Sequence, residues 1–305
     1  MSISKSKIRP VVVTGARGFI GRELAAAMQS SGSPVIGTTR GPGGACFSRI
    51  DSVQIDLQHV DLGSLDAVRE LIGRAEPKVI FHLSGLARPD RAREDPLQAF
   101  EANTRAVWTL MEGIRTTTPN TTLVMVTTAE QAGRRMDHSH PYVASKLAAE
   151  AVASSYATTY GLGVSVARLS HVYGPDDDEE RLVTAIVAAK VARRQLKLKE
   201  PKRLFDLLFI EDAVAGLTAV AQATVMGEFK AFSITAGTFV SGEQVAALVS
   251  RLDDGAGVSR ESASNPDPGP SAEHPPAWRP RVSLSTGLAA TIAWHRDRLR
   301  ERQHA

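Results

Sequence analysis

Val11-Val12-Val13-Thr14-Gly15-Ala16-Arg17-Gly18-Phe19-Ile20-Gly21 reads as a buried strand, a tight turn and the first turn of a helix. Each glycine has a separate task in such a turn. One bends the chain, one lets backbone approach a ligand, and one lets helix and strand pack closely. A helix starting there offers unpaired N–H groups and a partial positive charge, a combination that suits a pyrophosphate. The spacing is G-x-x-G-x-x-G, and such a triplet alone is a weak signal. Its place, directly after the first strand and before an Ala-rich helix, is what makes it informative. Gly15, Arg17, Gly18, Phe19, Ile20 and Gly21 are therefore candidate cofactor-binding residues.

The rest of the chain supports that start. Strand-like runs at Val35–Thr38, Val79–Leu83, Leu123–Thr127 and Val164–Leu169 alternate with helical patterns at Arg22–Ser30, Leu65–Arg74, Leu97–Arg115 and Tyr142–Tyr160. Continuous apolar strands separated by helices predict an α/β fold, a Rossmann-type doubly wound parallel sheet covered on both faces. Residues 7–170 are expected to form the cofactor-binding domain. A smaller C-terminal substrate lobe comes mostly from residues 171–305 and interleaves with the sheet. In it a helix at Arg181–Arg194, a strand at Leu207–Ile210, a helix from Ala213, a strand near Phe232–Thr235 and a helix at Gly242–Leu252 are expected. Six of the sixteen prolines fall between residues 253 and 281 and mark a loop-rich segment.

Composition narrows the function. With 36 basic and 33 acidic residues the net charge is +3, too small over 305 residues to suggest a nucleic-acid partner. The hydrophobic content of 43% is enough to bury a sizeable core. Cys46 is the only cysteine, so neither an internal disulfide nor a cysteine-based metal cage is expected, and a cytoplasmic location is the default. The longest apolar stretch, near residues 213–226, is too short for a membrane span.

Two further positions carry chemistry. The second strand ends Gly37-Thr38-Thr39-Arg40, where a carboxylate would accept adenosine ribose hydroxyls and a basic residue would suit a 2′-phosphate. Arg40 and Arg17, with no carboxylate at the end of the second strand, favour NADP(H), with NAD(H) as the other candidate. Tyr142 and Lys146 lie four apart at a helix start, so phenol and ammonium share one face. A nearby cation favours the phenolate and tunes a tyrosine for acid–base work at neutral pH. Thr127 and Thr128 close the strand before this helix, at the crevice end of a parallel sheet, and either hydroxyl can reach a substrate oxygen.

Together these features resemble the extended short-chain dehydrogenase/reductase family, within it the NAD(P)-dependent epimerase/dehydratase branch that modifies nucleotide sugars. The likeness runs almost the full length. Asp61-Leu62 resembles the adenine-contacting pair, Leu83-Ser84-Gly85 the end of the fourth family strand, and Asn103 the helix asparagine. Arg168 to Pro175 resembles R-x-x-N-x-Y-G-P, Phe209 to Asp212 resembles Y-V-x-D, and Trp278, Gly287 and Trp294 match the C-terminal pattern. The resemblance implies that Tyr142 is the acid/base and that Lys146 holds the nicotinamide ribose. It also implies that Thr128 supports the reacting oxygen. Glu130 stands where a carboxylate assists water loss in the dehydratases. The chain departs from the family at His171, where asparagine is usual, and at Phe205-Asp206-Leu207, where Arg-Asp-Phe supplies a diphosphate clamp. His171 and Arg203 are the substrate-binding candidates that remain.

The resemblance implies an NADP-dependent oxidoreductase of a nucleotide sugar, foremost a keto-sugar nucleotide reductase in deoxysugar biosynthesis. A 4-epimerase with retained NAD and a dehydratase are the enzymatic alternatives. A cofactor-sensing regulator is the non-enzymatic one. The expected partners are a small-molecule nucleotide sugar and a second copy of the chain in a homodimer, with no nucleic acid, membrane or metal.

Overall fold

The computed structural model describes residues 8–41, 43–47, 53–129, 140–254 and 273–304. Its centre is an eight-stranded sheet. The first strand, β1 (Val11–Thr14), is fully buried, and its valines feed two cores: Val11 and Val13 face one, Val12 the other. That alternation is the reason an unbroken apolar run forms a central strand here, since both faces of the sheet are covered. From β1 the chain winds outward through α1 (Phe19–Ser30), β2 (Val35–Thr39), β3 (Gly44–Phe47) and β4 (Gln54–His59). Helix α2 (Leu65–Ala75) returns it across to β5 (Val79–His82), on the opposite side of β1. This reversal of direction opens a crevice at the carboxyl ends of β1 and β5, where ligands of such sheets bind.

Beyond β5 come two short helices, α3 (Pro89–Glu94) and α4 (Pro96–Phe100), and one π-helical turn (Glu101–Arg105). Helix α5 (Ala106–Thr117), β6 (Thr122–Thr128), α6 (Pro141–Tyr160) and β7 (Val164–Leu169) complete this half. The remaining elements are β8 (His171–Tyr173), α7 (Leu182–Val191), β9 (Leu204–Phe209), α8 (Ile210–Ala223), β10 (Phe229–Ile234), β11 (Phe239–Ser241), α9 (Gly242–Asp253) and α10 (Leu284–His304). The main sheet runs β10-β7-β6-β5-β1-β2-β4-β3, seven strands parallel and β3 antiparallel at its edge. Strands β11, β9 and β8 make a second, small sheet.

Several elements differ from the sequence expectations, for physical reasons. The β3–β4 pair went unread because β4 is an edge-side strand that buries only alternate residues, Ile55 and Leu57, while Gln54 and Asp56 face out. The stretch expected as one helix at Leu97–Arg115 is broken by the π turn, which swings Asn103 and Thr104 inward, where both are buried. The C-terminal α10 was not anticipated. It is tied down by buried Asp212, whose carboxylate accepts from Arg281 N and Val282 N, each at 2.9 Å. Trp278 adds a bond from its indole N–H to Asp212 O (3.1 Å), and Tyr173 donates to Leu284 O (3.2 Å). Gly287 lets α10 lie on Tyr173, since a Cβ there would collide with the phenol oxygen. The motif residues Tyr173, Asp212, Trp278 and Gly287 are thus structural fasteners.

Candidate active site

The glycine turn joins β1 to α1 as its sequence demands. Gly15 adopts φ +70°, and a Cβ on it would stand 2.9 Å from the Ser84 nitrogen. Any other residue there is both strained and blocked. A Cβ on Gly21 would run into the Gly15 carbonyl oxygen. Gly18 N–H closes the turn onto Gly15 O at 2.9 Å. Arg17 is exposed at the turn's apex, while Phe19 and Ile20 pack partly into the core behind it. Across the crevice β5 docks through Leu83 N–H to Thr14 O (3.3 Å) and Ser84 N–H to the Thr14 hydroxyl (3.2 Å). The same hydroxyl bonds His82 Nδ1 at 2.9 Å. Burial, helped by the charge of Lys146, holds His82 down at about 3, so its ring is neutral at physiological pH.

Gly85 has φ +153°, and a Cβ there would lie 2.5 Å from Asn103 Oδ1 and 3.3 Å from Lys146 Nζ. The missing side chain therefore brings the β5 loop against the start of α6. That start is clamped by Asn103, which accepts from Leu86 N (2.9 Å) and donates to Leu86 O (3.2 Å) and to the Ser145 hydroxyl (2.9 Å). Thr104 donates to Ser145 O at 2.8 Å, and Ser145 Oγ donates to Tyr142 O at 2.9 Å. Pro141 pre-sets the first helical position, and His140 caps it by accepting from Tyr142 N at 3.2 Å. The Tyr142 ring is buried in a small cluster with Ala92, Ala99 and Val143. Burial lowers Lys146 to about 8, and the charge of Glu150 partly opposes that shift.

The two strand-end threonines separate cleanly. Thr127 is buried and donates to Glu150 Oε1 at 2.8 Å. Its partner in register on β7 is Arg168, which bonds the same carboxylate at 2.6 and 3.3 Å. Thr127 is thereby spent in the interior, and Thr128 lies half-buried on the opposite face of the strand. Glu150 escaped the sequence reading. Its signal was a lone carboxylate one turn beyond Lys146 on an Ala-rich helix.

The other candidates are placed as follows. Arg40 is exposed just past β2, where Thr39 turns the chain by accepting from Gly41 N at 3.2 Å. Asp61 is exposed and accepts from Gly63 N (2.9 Å), whereas Leu62 is buried and its carbonyl accepts from the Thr109 hydroxyl. At the small sheet the His171 ring meets Phe205 edge-on at 5.1 Å, and the Arg203 guanidinium lies over the Phe205 ring, 5.2 Å from its centroid. Asp206 turns away to accept from Ala236 N (2.9 Å) and Gly237 N (3.0 Å), and burial raises its pKa. Arg22 of α1 pairs with Asp176 at 2.9 Å, and Arg88 with Asp178 at 3.4 Å and with Glu180, so ion pairs tie α1 and the loop after β5 to the segment that follows β8. Glu130 lies outside the described residues.

A glycine turn at the switch point of a doubly wound sheet, facing a helix that presents Tyr142 and Lys146, defines a nicotinamide-dependent oxidoreductase. The profile of the NAD dependent epimerase/dehydratase family matches residues 11–234, and the chain belongs to that family, whose enzymes are short-chain dehydrogenase/reductases acting on nucleotide sugars. The UDP-glucose 4-epimerase of Mycolicibacterium smegmatis is 25% identical over 94% of this chain and 98% of its own. A dTDP-glucose 4,6-dehydratase of Streptomyces griseus is 25% identical over 93% of each. The fold matches the crystal structure of Thermus thermophilus UDP-glucose 4-epimerase in complex with NAD, with a TM-score of 0.75, 23% identity, and coverage of 94% of this chain and 99% of that one. Among the described residues no helix is long and apolar enough to cross a membrane.

Proposed function

We propose that the protein is an NADP-dependent reductase of a keto-sugar nucleotide, with residues 7–170 holding the cofactor and residues 171–305 supplying most of the sugar-nucleotide site. The observation that carries the choice of cofactor is the end of β2, where Arg40 stands in place of a ribose-binding carboxylate and Arg17 sits at the apex of the phosphate turn. The glycine cradle at Gly15–Gly21, and Gly85, whose missing side chain lets the β5 loop lie close against Asn103 and Lys146, fit a dinucleotide. When bound, the nicotinamide supplies the hydride. Tyr142 gives its phenolic proton to the sugar oxygen as charge builds there, and Thr128 donates a hydrogen bond to the same oxygen. Both act chiefly on the transition state. Lys146 holds the cofactor ribose and favours the phenolate left on Tyr142. Asp61, Leu62, Leu83, Ser84 and Asn103 frame the cofactor. Arg203, with Phe205 and His171, meets the sugar diphosphate.

A second reading, a 4-epimerase that retains NAD, is favoured by the likeness to UDP-glucose 4-epimerase over nearly the whole chain. We place the enzyme in the cytoplasm as a homodimer. Leu97, Phe100 and Trp108, exposed together beside an apolar hollow between α2 and α5, are the face it would bury.

Turnover of a panel of keto- and hydroxy-sugar nucleotides, with and without added NADPH, separates the readings. The reductase consumes NADPH in proportion to product, and the epimerase turns over with none added. Calorimetric titration should give NADP(H) at least about tenfold tighter binding than NAD(H), since a charged contact to phosphate contributes roughly 1–3 kcal/mol. Equal affinity, or tighter NAD(H), contradicts the reductase reading.

A further inference from the structure

One buried charged cluster beside the site has no part in the scheme above. Thr127 and Arg168 are neighbours in register at the ends of β6 and β7, and the carboxylate of Glu150 spans both. Glu150 is only 6% exposed, and its contacts to Arg168 include a 2.6 Å ion pair. It sits on α6 one turn after Lys146, so the two side chains share a helix face. A buried carboxylate with two donors is fixed in place, and it fixes the helix that carries it.

We propose that Glu150, held by Thr127 and Arg168, is the positioning residue for Lys146: it locks the register of α6 against the strand ends and serves as shared counter-charge to Arg168 and Lys146. The proposal rests on the reading that Lys146 holds the cofactor. The cluster contains two cations and one anion, so Glu150 divides its field between Arg168 and Lys146. Glu150 on its own helix and neutral His82 from β5 interact with Lys146, Tyr142 lies one turn earlier on α6, and Arg168 from β7 joins the cluster through Glu150. Glu101 and Arg105 of the packed π turn pair with each other at the surface, at 3.0 Å. Within this set Glu150 is the group whose charge favours protonated Lys146.

This arrangement makes two variants act in opposite directions. Glu150→Gln keeps an acceptor for Thr127 but leaves two cations without their anion, so Lys146 should lose its proton about one pH unit lower or more. Arg168→Gln removes the competing cation, so Lys146 should hold its proton to higher pH. The experiment is a titration of the full-length protein labelled with ε-¹³C lysine, the Lys146 signal being assigned by its loss in Lys146→Arg. NADPH affinity against pH is measured alongside in wild type and in Lys146→Ala. Wild-type Lys146 should titrate near 8, with the midpoint falling in Glu150→Gln and rising in Arg168→Gln. Midpoints that stay put, or that move the same way in both variants, overturn the proposal. If one variant does not fold, the sign of the other decides. Unchanged NADPH affinity in Lys146→Ala would instead remove the cofactor role of Lys146 and leave the charge cluster standing.

Discussion

His82 shows how a single buried residue links the site to stability. It lies under the crevice, bonded to Thr14, and burial beside Lys146 keeps it near 3. An unfolded histidine titrates at about 6.5, so below that pH the unfolded chain binds a proton that the folded one refuses. Stability linked to His82 is therefore complete above pH ~6.5 and declines as pH falls toward 3. Buried Asp177, raised to about 6, works the other way, because between about 6 and its unfolded value the folded chain binds the extra proton. Urea unfolding between pH 7 and 5 should show the loss in wild type and a shallower one in His82→Asn, which retains an acceptor for Thr14. An identical pH slope in the two proteins would show that His82 is not the group responsible.

At the scale of elements, the chain announces whatever is buried on two faces and conceals whatever is buried on one. Strands β1, β5, β6 and β7 read directly from their apolar runs, and the Gly15–Gly21 turn and the Tyr142/Lys146 helix read from spacing. Strand β4 did not, because half of its residues face solvent. The π turn did not, because its cause is tertiary: Asn103 and Thr104 reach Leu86 and Ser145, which are distant in sequence. Glu150 was hidden for a related reason, since its partners Thr127 and Arg168 converge only once β6 and β7 pair. Asp212 belongs here too, joining α8 to the segment that leads into α10. Its two bonds to backbone N–H groups each contribute about 1.5–3 kcal/mol as charge-assisted contacts. Asp212→Ala should thus lower unfolding free energy by on the order of 3 kcal/mol and speed amide exchange in residues 281–292. A change under about 0.5 kcal/mol would mean that Trp278 and Tyr173 suffice to hold α10.

Over the whole molecule, the sheet brings residues from distant parts of the chain to one crevice. Gly15–Gly21 comes from the first strand, Ser84 and Gly85 from the fifth, Thr128 from the sixth, and Tyr142 and Lys146 from the helix beyond it. The Arg22–Asp176 and Arg88–Glu180 ion pairs tie α1 and the loop after β5 to the segment that follows β8. A fold alone does not fix an activity. What gives this crevice a chemistry is a phenol and an ammonium on one helix face, beside a turn shaped for phosphates. Tyr142→Phe tests that claim most directly, because it keeps the ring packed against Ala92, Ala99 and Val143 and removes the hydroxyl that supplies the proton. On the sugar nucleotide selected by the turnover panel, kcat should fall by a factor on the order of 10²–10⁴, while the cofactor Kd stays within about twofold of wild type. Near wild-type turnover in Tyr142→Phe would contradict the mechanism, whatever the fold.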